Sequence, residues 1–122
     1  MIENFIKNKK ISADLSEQEI NDIKLFIKGA VYGFCNNCKE ADGKSCWFSV
    51  FTLFGKDNYY WEKPLINIYN YHIANGKDIK TAVLLSGQDL GHLLKEVLNE
   101  DTRKYEMASL QRKFSVNTYR KI

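Results

Sequence analysis

Cys46-Trp-Phe-Ser-Val-Phe-Thr-Leu-Phe54, followed by Gly55-Lys-Asp-Asn58 and then Tyr59-Tyr-Trp61, is the stretch on which the fold class turns. The first run is rich in aromatic and β-branched residues, the tetrapeptide has turn chemistry, and the second run is again aromatic. This pattern predicts a β-hairpin with a four-residue turn. Bulky rings on both strands require at least one face of the hairpin to pack on a helix.

Helical signals flank it on both sides. Ser16-Glu-Gln-Glu19 has the spacing of a capping box, and Ile20, Ile23, Ile27, Ala30, Val31 and Phe34 follow at intervals of three, four and seven. A helix from about Glu17 to Phe34 is expected, with Gly33 beside Cys35 marking its end. Pro64 to Ile73 fits a strand through Ile66 and Ile68, and a helix through Leu65, Ile68, Tyr69, His72 and Ile73. The helical reading is preferred, with Pro64 at the first helical position and Asn75-Gly76 as the stop. Asp78 caps a further helix through Ile79, Ala82 and Val83. Ser86 and Asp89 repeat the capping spacing before Leu90, Leu93, Leu94, Val97 and Leu98. A last helix is predicted from Asp101 or Thr102, with Met107, Leu110 and Phe114 as its apolar stripe. The expected class is α+β: an N-terminal amphipathic helix, a central antiparallel hairpin or small sheet, and C-terminal helices.

The chain has 122 residues, 44% of them hydrophobic and 27% charged, which fits one domain spanning 1–122 that buries roughly two thirds of its unfolded surface. The N-terminus has no apolar run long enough for a signal peptide, and no segment approaches the ~18 residues of a membrane span. A cytoplasmic location without membrane contact is the expectation.

Cys35, Cys38 and Cys46 are odd in number and clustered, which argues against a disulfide framework and for a reducing compartment. Two readings of them stay open. Cys35-x-x-Cys38 with Cys46 supplies three zinc ligands, completed by His72 or His92; alternatively the three are buried, reduced side chains acting as small hydrophobes. A thioredoxin-type role fits poorly, because the pair follows a helix instead of starting one. No nucleophile elbow, His-Glu-x-x-His motif or phosphate-cradling glycine loop occurs, so a catalytic role is not expected.

Charge gives the first functional signal. Asp101 to Ile122 holds six basic and two acidic residues, whereas the rest of the chain holds twelve basic and thirteen acidic ones. All three arginines lie in that tail, and guanidinium suits bidentate phosphate binding. Aromatic rings that can stack on a base lie in the hairpin. The candidate ligand-binding set is therefore Arg103, Arg112 and Lys113 for phosphate, with Tyr105 or Trp61 for the base.

Trp61-Glu-Lys-Pro-Leu65, Gln88-Asp-Leu-Gly-His-Leu-Leu94 and the basic end from Thr102-Arg-Lys-Tyr105 through Arg112-Lys113, on a chain of this length, give a layout that resembles the small phage anti-Thoeris sponge proteins. That resemblance implies sequestration of a cyclic ADP-ribose immune signal without turnover, in the host cytoplasm. It also implies a symmetric homo-oligomer whose pockets enclose an adenine and two phosphates. The competing readings are a phage inhibitor of a host defence enzyme such as a CRISPR nuclease, and a small zinc-stabilised nucleic-acid-binding domain. The second is disfavoured, and nucleic acid is not the expected partner.

Overall fold

Helix α1, Glu17–Asn37, begins where the capping box places it: the Ser16 hydroxyl accepts from the Glu19 N–H, and the Glu19 side chain accepts from the Ser16 N–H. It buries Ile23, Ile27, Val31 and Cys35, one residue per turn, and runs past Gly33 to a cap at Cys38. The computed structural model describes residues 11–55, 61–110 and 116–122.

The predicted hairpin does not form as drawn. Phe48 makes a single antiparallel bridge, donating to and accepting from Tyr119 at 2.8 Å, and the chain then turns into a short helix α2, Val50–Phe54. The reason is local. Ser49 and Thr52 form a reciprocal cap, hydroxyl to backbone in both directions, which satisfies N–H groups that a strand would have offered to a neighbour. The aromatics serve the core instead, with Phe48 and Phe54 buried. Most of the predicted turn and Tyr59-Tyr60 lie outside the described residues.

Helix α3, Ile66–Ala74, confirms the helical reading of that segment. Pro64 precedes the helix instead of occupying its first position, and the Lys63–Pro64 peptide bond is cis. Gly76, at φ 85°, supplies the left-handed residue after the stop. Helix α4, Ile79–Glu100, is one continuous element where two were expected; Asp78 caps it as predicted, accepting from Thr81 N–H at 2.7 Å. Ser86 does not start a new helix because its hydroxyl donates back to the Ala82 carbonyl at 2.7 Å, within the same helix.

The largest correction is at the C-terminal end. Instead of a helix from 101, strands β1 (Tyr105–Leu110) and β2 (Val116–Lys121) pair antiparallel, with Glu106 opposite Arg120 and Met107 opposite Tyr119. Alternation explains the choice: Tyr105 buries its ring and Met107 packs against the core, while Glu106 between them meets Arg120 across the ladder. Phe114, the third member of the expected stripe, lies outside the described residues.

The four helices and the two-stranded sheet make an α+β fold around one cluster. In it Phe48 meets Phe34, Tyr105 and Tyr119 edge-on or tilted, and α1, α3 and α4 supply the aliphatic remainder. No described helix is long and apolar enough to cross a membrane.

Candidate functional site

The cysteine cluster is the first point at which the structure departs from the candidate sites. Cys38 caps α1, and the following loop returns so that Lys39 and Ser45 form a β-bridge. This return brings the Cys38 and Cys46 Cα atoms to 5.6 Å, within bridging range, and the two side chains form a disulfide; Cys35 remains a free, buried thiol. Both the zinc reading and the reading of three reduced cysteines are thereby overturned. Two of the three thiolates a metal needs are covalently tied to each other, and no group of three or more metal-ligating side chains occurs among the described residues. Cys35 is inert by environment: burial pushes its thiol up, outweighing the nearby charges of Arg103, Lys121 and Lys39.

Arg103 and Tyr105, two of the predicted ligand contacts, do come together, but against a carboxylate of the protein itself. The Asp101 side chain, 1% exposed, accepts from Tyr32 Oη at 2.8 Å, Tyr105 Oη at 2.5 Å and the Arg103 backbone N–H at 3.2 Å. The Arg103 guanidinium donates to Tyr105 Oη at 2.7 Å and lies 3.5 Å over the Tyr32 ring. Burial drives the Asp101 carboxyl upward, but the hydrogen bonds from Tyr105, Tyr32 and Arg103 together with the Arg103 charge outweigh it and hold the group below the ordinary carboxylate range. Tyr105 is pushed well above the usual tyrosine value, first by burial and then by its bond to Asp101. Arg103 is thus neutralised and stacked where it stands, and a ligand phosphate would have to displace an internal partner.

Trp61 packs against the core and donates its indole N–H to the Phe54 carbonyl at 3.3 Å, which makes it a fastener for α2. Arg112 and Lys113 lie outside the described residues. His72, once a possible zinc ligand, is buried with Nε2 2.9 Å from Asp89 Oδ2.

A different set of basic side chains is gathered on one cleft of about 230 Å3. One wall is the edge of β1 and β2, carrying Glu106, Arg120 and Lys121; the other is the disulfide-closed loop, carrying Lys39 and Lys44. Arg120 is committed: it bonds Glu106 through Nε at 2.6 Å and through Nη2, approaches Glu40 at 3.7 Å and lies 4.7 Å over the Trp47 ring. Lys39, Lys44 and Lys121 make no ion pair among the described residues. Three lysines outside any ion pair thus line the cleft, beside the Glu106–Arg120 pair and an arginine–tryptophan stack. A second cleft of about 200 Å3 between α1 and α4 has no such surplus, because Lys24 and Lys28 share its lining with Glu100 and Asp101, and Lys24 is bonded to Glu96 at 2.9 Å and to Glu100 at 2.8 Å.

Sequence reasoning missed the cleft because Lys121 is far in the chain from Lys39 and Lys44, and all three are unremarkable in composition. Trp47 was visible as one aromatic among many, and only the β2 pairing shows that it, instead of Trp61, stands beside a guanidinium. No protein family, curated protein or solved structure matches this chain.

Proposed function

We propose that this protein is a non-catalytic binding protein that captures a phosphorylated, nucleotide-type ligand by its phosphate end in the Lys39–Lys44–Lys121 cleft. The observation that carries the reading is that Lys39, Lys44 and Lys121, none of them in an ion pair with a described residue, line one concavity. Ammonium groups hold phosphate oxygens as charge-assisted donors, and Trp47, already stacked by Arg120, offers an aromatic surface next to them. At about 230 Å3 the cleft is smaller than the ~300–1,000 Å3 typical of sites that enclose a whole small molecule. It suits a pyrophosphate and leaves a base outside. A cyclic ADP-ribose-type signal, the ligand of a sponge, would need a second copy of the chain to close over it, in keeping with the homo-oligomer expected of such proteins.

Isothermal titration against ADP-ribose isomers, cyclic nucleotides and inorganic pyrophosphate tests this. Each lysine is expected to contribute about tenfold, so the triple variant K39A/K44A/K121A should bind ~1,000-fold more weakly, on the scale of charge-assisted hydrogen bonds. The double variant R112A/K113A should retain most of the affinity. Undiminished binding by the triple variant, with loss in R112A/K113A, moves the site to Arg112 and Lys113. Recovery of chemically altered ligand sinks the non-catalytic reading.

A second reading, a protein-binding inhibitor of a host defence enzyme, draws support from Phe26 and Phe51, which are 46% and 39% exposed on the neighbouring helices α1 and α2. Its mark would be a stoichiometric complex with a purified defence nuclease that the double variant F26A/F51A fails to form.

A further inference from the structure

The two walls of the lysine cleft are held in different ways, and the difference carries a consequence for ligand binding. The sheet wall is fixed by the paired ladder of β1 and β2, by the reciprocal Phe48–Tyr119 backbone bonds and by the buried rings of Tyr105 and Tyr119. The loop wall has little of this. Residues 39–44 are all exposed, and none of them belongs to the hydrophobic cluster. Within the loop, Glu40 N–H donates to the Lys44 carbonyl at 2.7 Å, Gly43 N–H to the Glu40 carbonyl at 2.9 Å, and Lys44 N–H to Asp42 Oδ1 at 3.0 Å. These bonds shape the loop but do not anchor it. Its ties to the rest are the buried Ser45, which bridges Lys39 across the loop, the long Arg120–Glu40 contact at 3.7 Å, the 3.3 Å bond from Cys46 N–H to the Cys38 carbonyl, and the Cys38–Cys46 disulfide.

We propose that the Cys38–Cys46 disulfide is a redox gate on the anion cleft: oxidised, it holds Lys39 and Lys44 against Lys121 for phosphate binding, and reduced by a dithiol it releases them. This rests on the cleft reading given above. Both cysteines are only half-buried, so the bond is open to a small reductant, whereas the buried Cys35 is not. In the step, one thiolate of the dithiol attacks a protein sulfur and the Cys38–Cys46 bond breaks. The second thiolate of the reductant then attacks the reductant's first sulfur in the mixed disulfide and expels the protein sulfur as a thiolate. The protein gains two electrons and two protons as a pair of thiols, and the reductant leaves as a disulfide. Oxidised glutathione reverses the exchange.

The gate is local because the core does not depend on the loop. The cluster formed by α1, α3, α4 and the sheet contains none of its exposed residues, so opening should be confined to the ring between the two cysteines. Loss of two of three lysines from their places predicts a drop in affinity of at least tenfold.

The probe is inorganic pyrophosphate, titrated into the protein before and after reduction with dithiothreitol and again after reoxidation with oxidised glutathione. Expected are tight binding in the oxidised form, at least tenfold weaker binding in the reduced form, recovery on reoxidation, and permanently weak binding by C38S/C46S. Hydrogen exchange should show faster exchange at Glu40, Gly43 and Cys46 on reduction, with Ile27 and Leu94 still protected. Equal affinity in both redox forms overturns the gate while leaving the cleft intact. Absence of pyrophosphate binding in the oxidised form overturns the cleft reading and the gate with it. Loss of protection throughout α1 and α4 on reduction also overturns it, since the bond would then be a structural staple.

Discussion

Replacing Asp89 with alanine should lower the unfolding free energy by about 3–5 kcal/mol, a large share of what a chain of this size has to lose. Asp89 sits inside α4, yet its carboxyl group serves two other elements. It accepts from the Ser12 N–H and hydroxyl, both at 2.8 Å to Oδ1, from the Ala13 N–H at 3.2 Å, and from His72 Nε2 at 2.9 Å. The side chain is 2% exposed, and so is nearly the whole of His72 enclosed at 3%. Alanine would strand the buried imidazole of His72 and the buried Ala13 N–H, which is the expensive way to break a hydrogen bond, while the exposed Ser12 would turn to solvent. Asparagine is the informative comparison. Its oxygen can keep the Ser12 pair, but its amide turns donors toward Ala13 N–H and His72, so a cost of about 2 kcal/mol is expected. Urea denaturation gives both numbers. A cost below 1 kcal/mol for the alanine variant would mean that residues 12 and 13 are not held to α4 through this group.

That hub shows where the sequence was legible and where it was not. Signals that act over a few residues survived folding: the Ser16–Glu19 box and Asp78 start α1 and α4 where read, and the periodic isoleucines and leucines face the core. Misreadings arose where a residue's partner is far away in the chain. Asp89 carried a capping spacing from Ser86, but its contacts are 76 and 77 residues upstream and 17 residues upstream, which no local pattern encodes. The stripe Met107-Leu110-Phe114 has offsets of three and seven, which fit a helix and not period 2; the pairing of Tyr119 with both Met107 and Phe48, which no local spacing encodes, decides for strand. In the candidate site the same rule applies. Phosphate-binding chemistry was sought where arginines are dense in sequence, whereas in the fold Arg103 is neutralised by Asp101 and Arg120 by Glu106 and Glu40, leaving the dispersed lysines as the unpaired charge. The cysteines illustrate the converse error, an odd count taken as evidence against a bridge, although one bond and one buried thiol satisfy it.

Substituting Asp101 with asparagine should cost about 2–4 kcal/mol at neutral pH, and the deficit should shrink as the solution is acidified. Asp101 caps the C-terminal end of α4, where the helix macrodipole disfavours a negative charge, and its side chain is only 1% exposed. The charge is tolerated because Tyr32, Tyr105 and Arg103 all donate to it. Asparagine would present an amide donor to one of these donors and remove the charge that Arg103 balances. The sign of the pH effect follows from the direction of the shift. Since the folded carboxyl is held below its ordinary value, its contribution is fully present above the unfolded value near ~4 and is lost as pH falls through the folded value. Wild type and D101N should therefore differ by a constant amount between about pH 5 and 8 and converge below about pH 4. At the alkaline end the raised Tyr105 works in the opposite sense: its contribution is complete below the unfolded tyrosine value near ~10 and declines above it, so the wild type should weaken there faster than the variant Y105F. Thermal melts of the three proteins across this range read both limbs. A wild-type-minus-D101N difference that grows on acidification would show that Asp101 is protonated in the folded state and that the tyrosines and Arg103 are held by something else.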